Sequence, residues 1–428
     1  MQYAPRTREG ILPSPSAIRV QERVIELTRR KVLFVDHTAT LGGGELALLQ
    51  IVMNLDKNRY QPVVVLFSEG KLALKLREVG IETRVMTLSS EVTETRKDSL
   101  GPHTLLKTKN IWDTMAFAFR LARFIRAEKI DLVYTNSLKS DVIGGLAARL
   151  AGRPLIWHIR DRIEEDYLPA PVVRAFRALC RLVPDYILAN SNATLQTLKL
   201  PRQERATTVY SGVDTAQCVV PDAIHGEMPA PAAPFCALST APRIGLVGRI
   251  SRWKGQHIFL QAAAQVRARF PDAQFQIVGA AFFDEQDYEN ELRELACSLE
   301  LGESVEFTGF RSDVPEVMAG LDILVHASTS GEPFGQVVVQ GMAAGKPVVA
   351  TNGGGIPEIV VDGLTGLLVP MADADAMAAA ICHLISKPAL AQQMGLMGRQ
   401  RVLEQFTIEH TIFKVEQVFD SLFPPNRN

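Results

Sequence analysis

Along this chain, β-branched apolar runs of four to six residues alternate with longer segments whose apolar positions recur at helical spacing. A strand buried on both faces reads as a continuous apolar run, so this alternation is the signature of parallel sheets joined by crossover helices. The fold class is therefore α/β. Strands are expected at 31–35, 63–67, 132–135, 155–158 and 186–189, then at 243–247, 275–278, 305–308, 323–326 and 348–351. Each half can build its own sheet, and 428 residues at roughly 100 to 200 per domain call for at least two domains.

Two stretches break the pattern. Residues 217–242 hold Pro221, Pro229, Pro231, Pro234 and Pro242 among alanines without periodicity, so they read as a linker or an ordered surface excursion. The domain boundary is placed at 212–214. Residues 88–110, rich in Ser, Thr, Lys and Arg, are long for a loop inside a compact domain and read as either a functional loop or a disordered one. Residues 16–30 carry Ile18, Val24, Ile25 and Leu27 at roughly helical spacing, which predicts an extra helix before the first strand.

Composition removes whole classes. At 47% hydrophobic and 22% charged the chain is too apolar for a disordered protein. No uncharged apolar run approaches the roughly 18 to 20 residues of a membrane span, and charges punctuate the first 30 residues, so neither a span nor a signal peptide is expected. Five scattered cysteines without a C-x-x-C pair argue against a disulfide framework or a structural zinc site, and suit a reducing cytoplasm. The net charge of −1 hides an asymmetry: residues 1–214 hold 32 Lys and Arg against 23 Asp and Glu, and the remainder 14 against 24. Such a basic half suits an anionic lipid surface or a phosphorylated substrate, or else carries solvated Arg-rich helix faces.

Two α/β domains side by side place strand ends and helix N-termini around one cleft, a setting that favours anions. NAD and P-loop chemistry fit poorly: there is no G-x-G-x-x-G, and Gly341-Met342-Ala343-Ala344-Gly345-Lys346-Pro347 misses the P-loop by a spacer residue and its Ser or Thr. Asp373-Ala374-Asp375 imitates a metal-binding D-x-D, but it directly precedes an apolar helix at 376–385, where Asp caps a helix start.

The remaining motifs resemble one family. Gly248-Arg249-Ile250-Ser251-Arg252-Trp253-Lys254-Gly255 is similar to a G-R-x(4)-K-G phosphate clamp. Ser330 to Gly335, Gly341 to Ala350, Gly353-Gly354-Gly355-Ile356-Pro357-Glu358 and Asp362 to Leu368 follow the C-terminal signature of the family 4, or group 1, retaining glycosyltransferases in order and spacing. Leu41-Gly42-Gly43-Gly44-Glu45 looks like their glycine loop, Trp157-His158 like the strand-end histidine, and Tyr210-Ser211-Gly212-Val213-Asp214 like the interdomain junction.

The resemblance implies a GT-B fold, two Rossmann-like domains facing across an interdomain cleft. It divides the chain into a helical extension (1–30), an acceptor domain (31–212), a nucleotide-sugar donor domain (213–404) and a C-terminal helix crossing back to the first domain (405–428). It implies a metal-independent, cofactor-free retaining enzyme using a UDP-sugar or GDP-sugar. Its catalytic residues are Glu332, His158, Arg249 and Lys254. Gly43, Gly44, Phe334, Gly335, Gln336 and Gln340 join Arg249, Lys254 and Glu332 in holding the donor.

The chemistry agrees. Cleaving a sugar from a nucleotide diphosphate leaves growing negative charge, which a forked guanidinium and a compact ammonium can meet. Glycines 43 and 44, opening a helix, let backbone N–H groups approach phosphate from the opposite domain. One position departs from the family's Glu-x(7)-Glu: Gln340 stands eight residues after Glu332, where relatives bind the ribose diol with a carboxylate.

The expected acceptor is a cell-surface polysaccharide or lipid-linked glycan at the inner face of the membrane, with no nucleic acid involved. Phe117, Phe119 and Phe124 among Arg120, Arg123, Arg126 and Lys129, and Val172, Val173, Phe176 and Leu179 among Arg174, Arg177 and Arg181, form basic amphipathic helices. These either lie on anionic lipid or pack on the sheet with snorkelling arginines. Two other readings stand: the same chemistry on a soluble small-molecule acceptor, and a nucleotide-sugar binding protein without turnover, for which Gln340 is the hint.

Overall fold

A computed structural model describes residues 29–88, 108–201, 204–218, 241–282 and 285–423. The expected helix at 16–30 falls outside these residues save for its last two, and Arg30 already begins a strand. Most of 88–110 and of the Pro-rich stretch also fall outside; where description resumes, Thr108 to Asn110 open a helix rather than extend a loop.

The chain forms two parallel sheets. The first has strands β1 (Arg30–Asp36), β2 (Tyr60–Leu66), β3 (Glu82–Val85), β4 (Leu132–Thr135), β5 (Leu155–Ile159), β6 (Tyr186–Ala189) and β7 (Ala206–Thr208), in spatial order 3-2-1-4-5-6-7. The second has β8 (Arg243–Val247), β9 (Gln274–Val278), β10 (Val305–Gly309), β11 (Ile323–His326), β12 (Val348–Thr351) and β13 (Leu367–Val369), in order 10-9-8-11-12-13. Both orders reverse beside their first strand, which makes each a doubly wound sheet with one switch point.

Strand periodicity sorts the core. Leu33 and Val35 face one layer with Val63, Val65 and Val133, while Val32 and Phe34 face the other with Val64, Leu66 and Tyr134. In the second sheet Ile244, Leu246, Ile323 and Val325 face one layer, and Leu324, Val348 and Ala350 the other. Both faces are covered by helices, which is why these strands read as unbroken apolar runs.

Two passages of chain link the halves side by side. Val213 gives its N–H to Phe406 (2.9 Å) and its carbonyl to the N–H of Ile408 (2.9 Å). Helix Ile408–Leu422 then lays Ile412, Val415, Val418 and Phe419 against Val32, Phe34 and Tyr134 of the first sheet. Arg59 and Asp56 hold Glu416, and the Tyr60 hydroxyl donates to Asp420 (2.6 Å).

Candidate active site

The C-terminal ends of the two sheets meet. The Ser191 and Thr194 hydroxyls, after β6, donate to the Pro333 carbonyl at 2.5 and 3.0 Å, and Arg162, after β5, reaches the Gly331 carbonyl at 3.3 Å. Glu358 of the second domain accepts the N–H groups of Asn192 and Ala193 (2.8 and 2.7 Å), capping the short helix Asn192–Thr197 of the first.

The second sheet's switch point lies between β8 and β11, where strand ends splay and ligands bind. The turn Arg252–Lys254 follows β8 and ends at Gly255, whose φ of 72° and abutment on the Ala327 carbonyl admit only glycine. That fixes Lys254 over the loop after β11. Its Nζ lies 2.9 and 2.8 Å from the two carboxylate oxygens of Glu332. Ser328 donates to Glu332 Oε2 at 2.9 Å, and His326 Nε2 sits 3.2 Å away with its Nδ1 held by Thr351 (3.1 Å). Burial pushes the Glu332 carboxyl up, but the Lys254 ammonium and the hydrogen bond from His326 more than offset this and hold it well below the usual carboxylate range. The result is a buried, permanently ionised carboxylate beside an ammonium.

The other residues of this half fall around that pair. Arg249 is exposed on the loop after β8, its carbonyl gripped by Gln256 Nε2 at 2.9 Å. Gly335 has φ of 116° and lies against Ile356, so no side chain fits there. Phe334 is buried and stacks on Tyr210 with ring centroids 5.7 Å apart; only its backbone is left to meet a ligand. Gln336 and Gln340, on helix Gln336–Ala343, are half-buried. Asp373 accepts the Ala376 N–H (2.8 Å) at the start of helix Ala374–Ser386, the capping role expected for it.

In the first sheet the switch point lies between β1 and β4, and a buried polar network fills it. Asp36 ends β1 fully buried; its carboxylate accepts from Asn136 Nδ2 (2.7 Å), Ser137 Oγ (2.8 Å) and the His37 N–H (2.7 Å). Burial raises its pKa, but His37, Asn136 and Ser137 more than reverse that. Gly43 and Gly44 open helix Gly43–Asn54, and Glu45 turns back to accept the Gly42 N–H at 3.0 Å. Burial, with the charges of Asp36 and Asp161, pushes Glu45 up to about 8. His158 is fully buried on β5, with Nδ1 bound by the Tyr134 hydroxyl and by Arg160 Nη2 at 3.2 Å.

Sequence reasoning singled out Arg249, Lys254, Glu332 and His158 but missed His326, Ser328, Asp36, Asn136 and Arg160. Each of these lies at or just beyond the end of an apolar strand run, and that position was the available signal.

Two family models match: Glycosyltransferase Family 4 over residues 41–217 and Glycosyl transferases group 1 over 237–401. The chain belongs to the group 1 glycosyltransferases. It is 28% identical over 302 residues to the lipopolysaccharide core biosynthesis mannosyltransferase LpsB of Rhizobium meliloti, covering 64% of this chain and 82% of that protein. It is 33% identical over 177 residues to a GDP-mannose-dependent phosphatidylinositol monomannoside mannosyltransferase of Mycolicibacterium smegmatis, covering 40% of this chain and less than half of that one, 45%. Among solved structures, HepE of Anabaena in complex with UDP and glucose superposes with a TM-score of 0.77 at 27% identity, covering 92% of this chain and 100% of that one. This glycosyltransferase has the two-domain GT-B fold.

Proposed function

We propose that this glycosyltransferase moves a sugar from a nucleotide diphosphate sugar to an acceptor hydroxyl, with retention at the anomeric carbon and without a metal. The observation that carries the reading is the Lys254–Glu332 pair at the switch point of the second sheet, with Arg249 on the same loop as Lys254. Glu332 accepts from sugar hydroxyls, while Lys254 and Arg249 meet the charge that develops on the diphosphate. The bond between the anomeric carbon and the phosphate oxygen breaks, the acceptor oxygen bonds on the same face, and its proton passes to the departing phosphate. Gln336, Gln340, the backbone of Phe334 and Gly335, and Gly43 and Gly44 across the cleft complete the donor site.

Titration calorimetry with UDP, GDP and ADP in EDTA tests this. Relatives use both GDP-mannose and UDP-glucose in their names and structures. Metal-free binding of one nucleotide is expected; binding of none, or binding only with added divalent metal, defeats the reading. Gln340→Glu is expected to leave the fold intact and tighten binding of that nucleotide roughly tenfold, because a carboxylate is the stronger partner for a ribose diol. Weaker binding by this variant means that the site is tuned to the amide.

For the acceptor we infer a cell-surface polysaccharide or lipid-linked glycan at an anionic membrane face. Helix Thr108–Ala127 buries Phe117, Leu121 and Ile125 against the sheet and turns outward a stripe of Trp112, Ala116, Phe119 and Arg123, with Trp112 76% and Phe119 53% exposed, while Arg126 donates to the Leu150 carbonyl. Aromatic residues beside arginines suit a headgroup boundary. Helix Ala170–Leu182 belongs to the packed reading instead, since Val173 and Phe176 are buried and Arg177 is spent on the Thr197 and Ile163 carbonyls, both at 2.7 Å. Co-sedimentation with anionic vesicles that weakens at high salt supports the lipid reading, whereas no sedimentation at low salt favours a soluble acceptor.

A further inference from the structure

Arg160 joins three parts of the first domain. Its Nε donates to Asn136 Oδ1 at 2.6 Å, its Nη1 to Ser211 Oγ at 2.9 Å, and its Nη2 lies 3.2 Å from His158 Nδ1. Asn136 passes the contact on: its Nδ2 donates to Asp36 at 2.7 Å, so one amide bridges a buried guanidinium and a buried carboxylate. Ser211 belongs to the interdomain junction, and Gly44 of the glycine loop packs against the Arg160 stem, where an added Cβ would lie 3.4 Å from Cδ.

A guanidinium has donors and no acceptor, so the nitrogen facing it must offer a lone pair. His158 Nδ1 is therefore the unprotonated nitrogen. Burial, reinforced by the Arg160 cation, holds the imidazole pKa well below its ordinary value, so the ring is neutral and its one proton sits on Nε2. That Nε2 is fully buried and finds no acceptor among the described residues. An unpaired buried donor is costly, and a ligand hydroxyl that accepts from it would recover that cost.

We propose that Arg160 is a positioning residue: with the Tyr134 hydroxyl, which shares Nδ1 with it, Arg160 fixes His158 as the Nε2–H tautomer, so that this N–H donates to a hydroxyl of the donor sugar. The proposal rests on the donor-sugar reading of the cleft. Asp36, through Asn136, keeps Arg160 in place. The groups that face the ring are Tyr134 and Arg160; Arg160 in turn feels Tyr134, Asp36, Glu45 and Asp141, and since burial raises Asp141 and Glu45 while Asp36 is held low, Asp36 is the main counter-charge to Arg160.

The test has two arms. Nitrogen NMR of the full chain labelled with 15N-histidine, with His158 assigned by the signals lost in His158→Ala, is expected to show a protonated Nε2 and a pyridine-type Nδ1 at neutral pH. A proton on Nδ1, or on both nitrogens, overturns the proposal whatever the enzyme does. This arm needs no Arg160 variant to fold and no donor. In the second arm, Arg160→Met is expected to lower kcat/KM for the nucleotide sugar about tenfold, one lost hydrogen bond. Combined with His158→Ala it should cost nothing further, because both changes remove the same contact. Additive losses make Arg160 merely structural. If the tautomer is as stated but no nucleotide sugar is consumed, the donor-sugar reading fails while the positioning stands.

Discussion

Arg249→Ala is expected to lower kcat by roughly 10² to 10³ with the melting temperature unchanged, the usual consequence of losing one fixed charge on a leaving group. Arg249 is exposed on the loop after β8, so its removal opens no cavity in the core. The loop itself is held by backbone contacts that survive the change: Gln256 Nε2 to the Arg249 carbonyl at 2.9 Å, and the Ile250 N–H to the Ala280 carbonyl at 3.0 Å. Because charge on the diphosphate grows as the sugar departs, the loss should fall on kcat rather than on KM alone. Initial rates at saturating donor read it directly, and near wild-type turnover would end the clamp role of Arg249.

The interior of both sheets was legible in the sequence, and of the four edge strands only β10 was. The expected strands at 132–135, 186–189, 243–247, 323–326 and 348–351 coincide with β4, β6, β8, β11 and β12, all buried on both faces. The strands that escaped were β3, β7 and β13, each at the edge of its sheet. An edge strand packs on one side only, so β3 carries Glu82 and Arg84, while β7 and β13 are three residues long and leave no apolar run to detect.

The site divides along a similar line. Arg249, Lys254 and Glu332 sit in short motifs whose meaning is local. The partners of His158 and Glu332 come from separate strands: Tyr134 and Asn136 meet His158 and Arg160 across 24 residues, and Lys254 meets Glu332 across 78. Which strand ends become neighbours is decided by sheet order, which periodicity does not specify. Phe334 shows the converse: the motif pointed to the donor, but its ring packs against Tyr210 and Phe406.

Lys254→Ala is expected to cost stability as well as activity, and the stability cost should depend on pH in a direction opposite to ordinary acid unfolding. In the parent protein Lys254 and Glu332 are 20% and 11% exposed at their side chains, and the ammonium is the main influence opposing burial of the carboxylate. A folded-state pKa below the unfolded value contributes stability that is present above the unfolded pKa and lost as pH falls through the folded one. Without Lys254 the largest influence lowering the Glu332 pKa is gone while burial still raises it, so the pKa is expected to rise above its ordinary value of 4.5. The folded variant then takes up a proton more readily than the unfolded chain, so it gains stability as pH falls from neutral toward 5. Removing one partner of a buried pair costs about 3 kcal/mol, less here because the ammonium keeps some solvent contact. Thermal melts at pH 7.5 and 5.5 should therefore show a deficit of several degrees for the variant at the higher pH that narrows at the lower. Adding Glu332→Gln should close most of the gap at pH 7.5, since the stranded charge is gone. A deficit equal at both pH values, or one that Glu332→Gln leaves untouched, would mean that the stability cost lies in packing of the Lys254 stem and not in its charge.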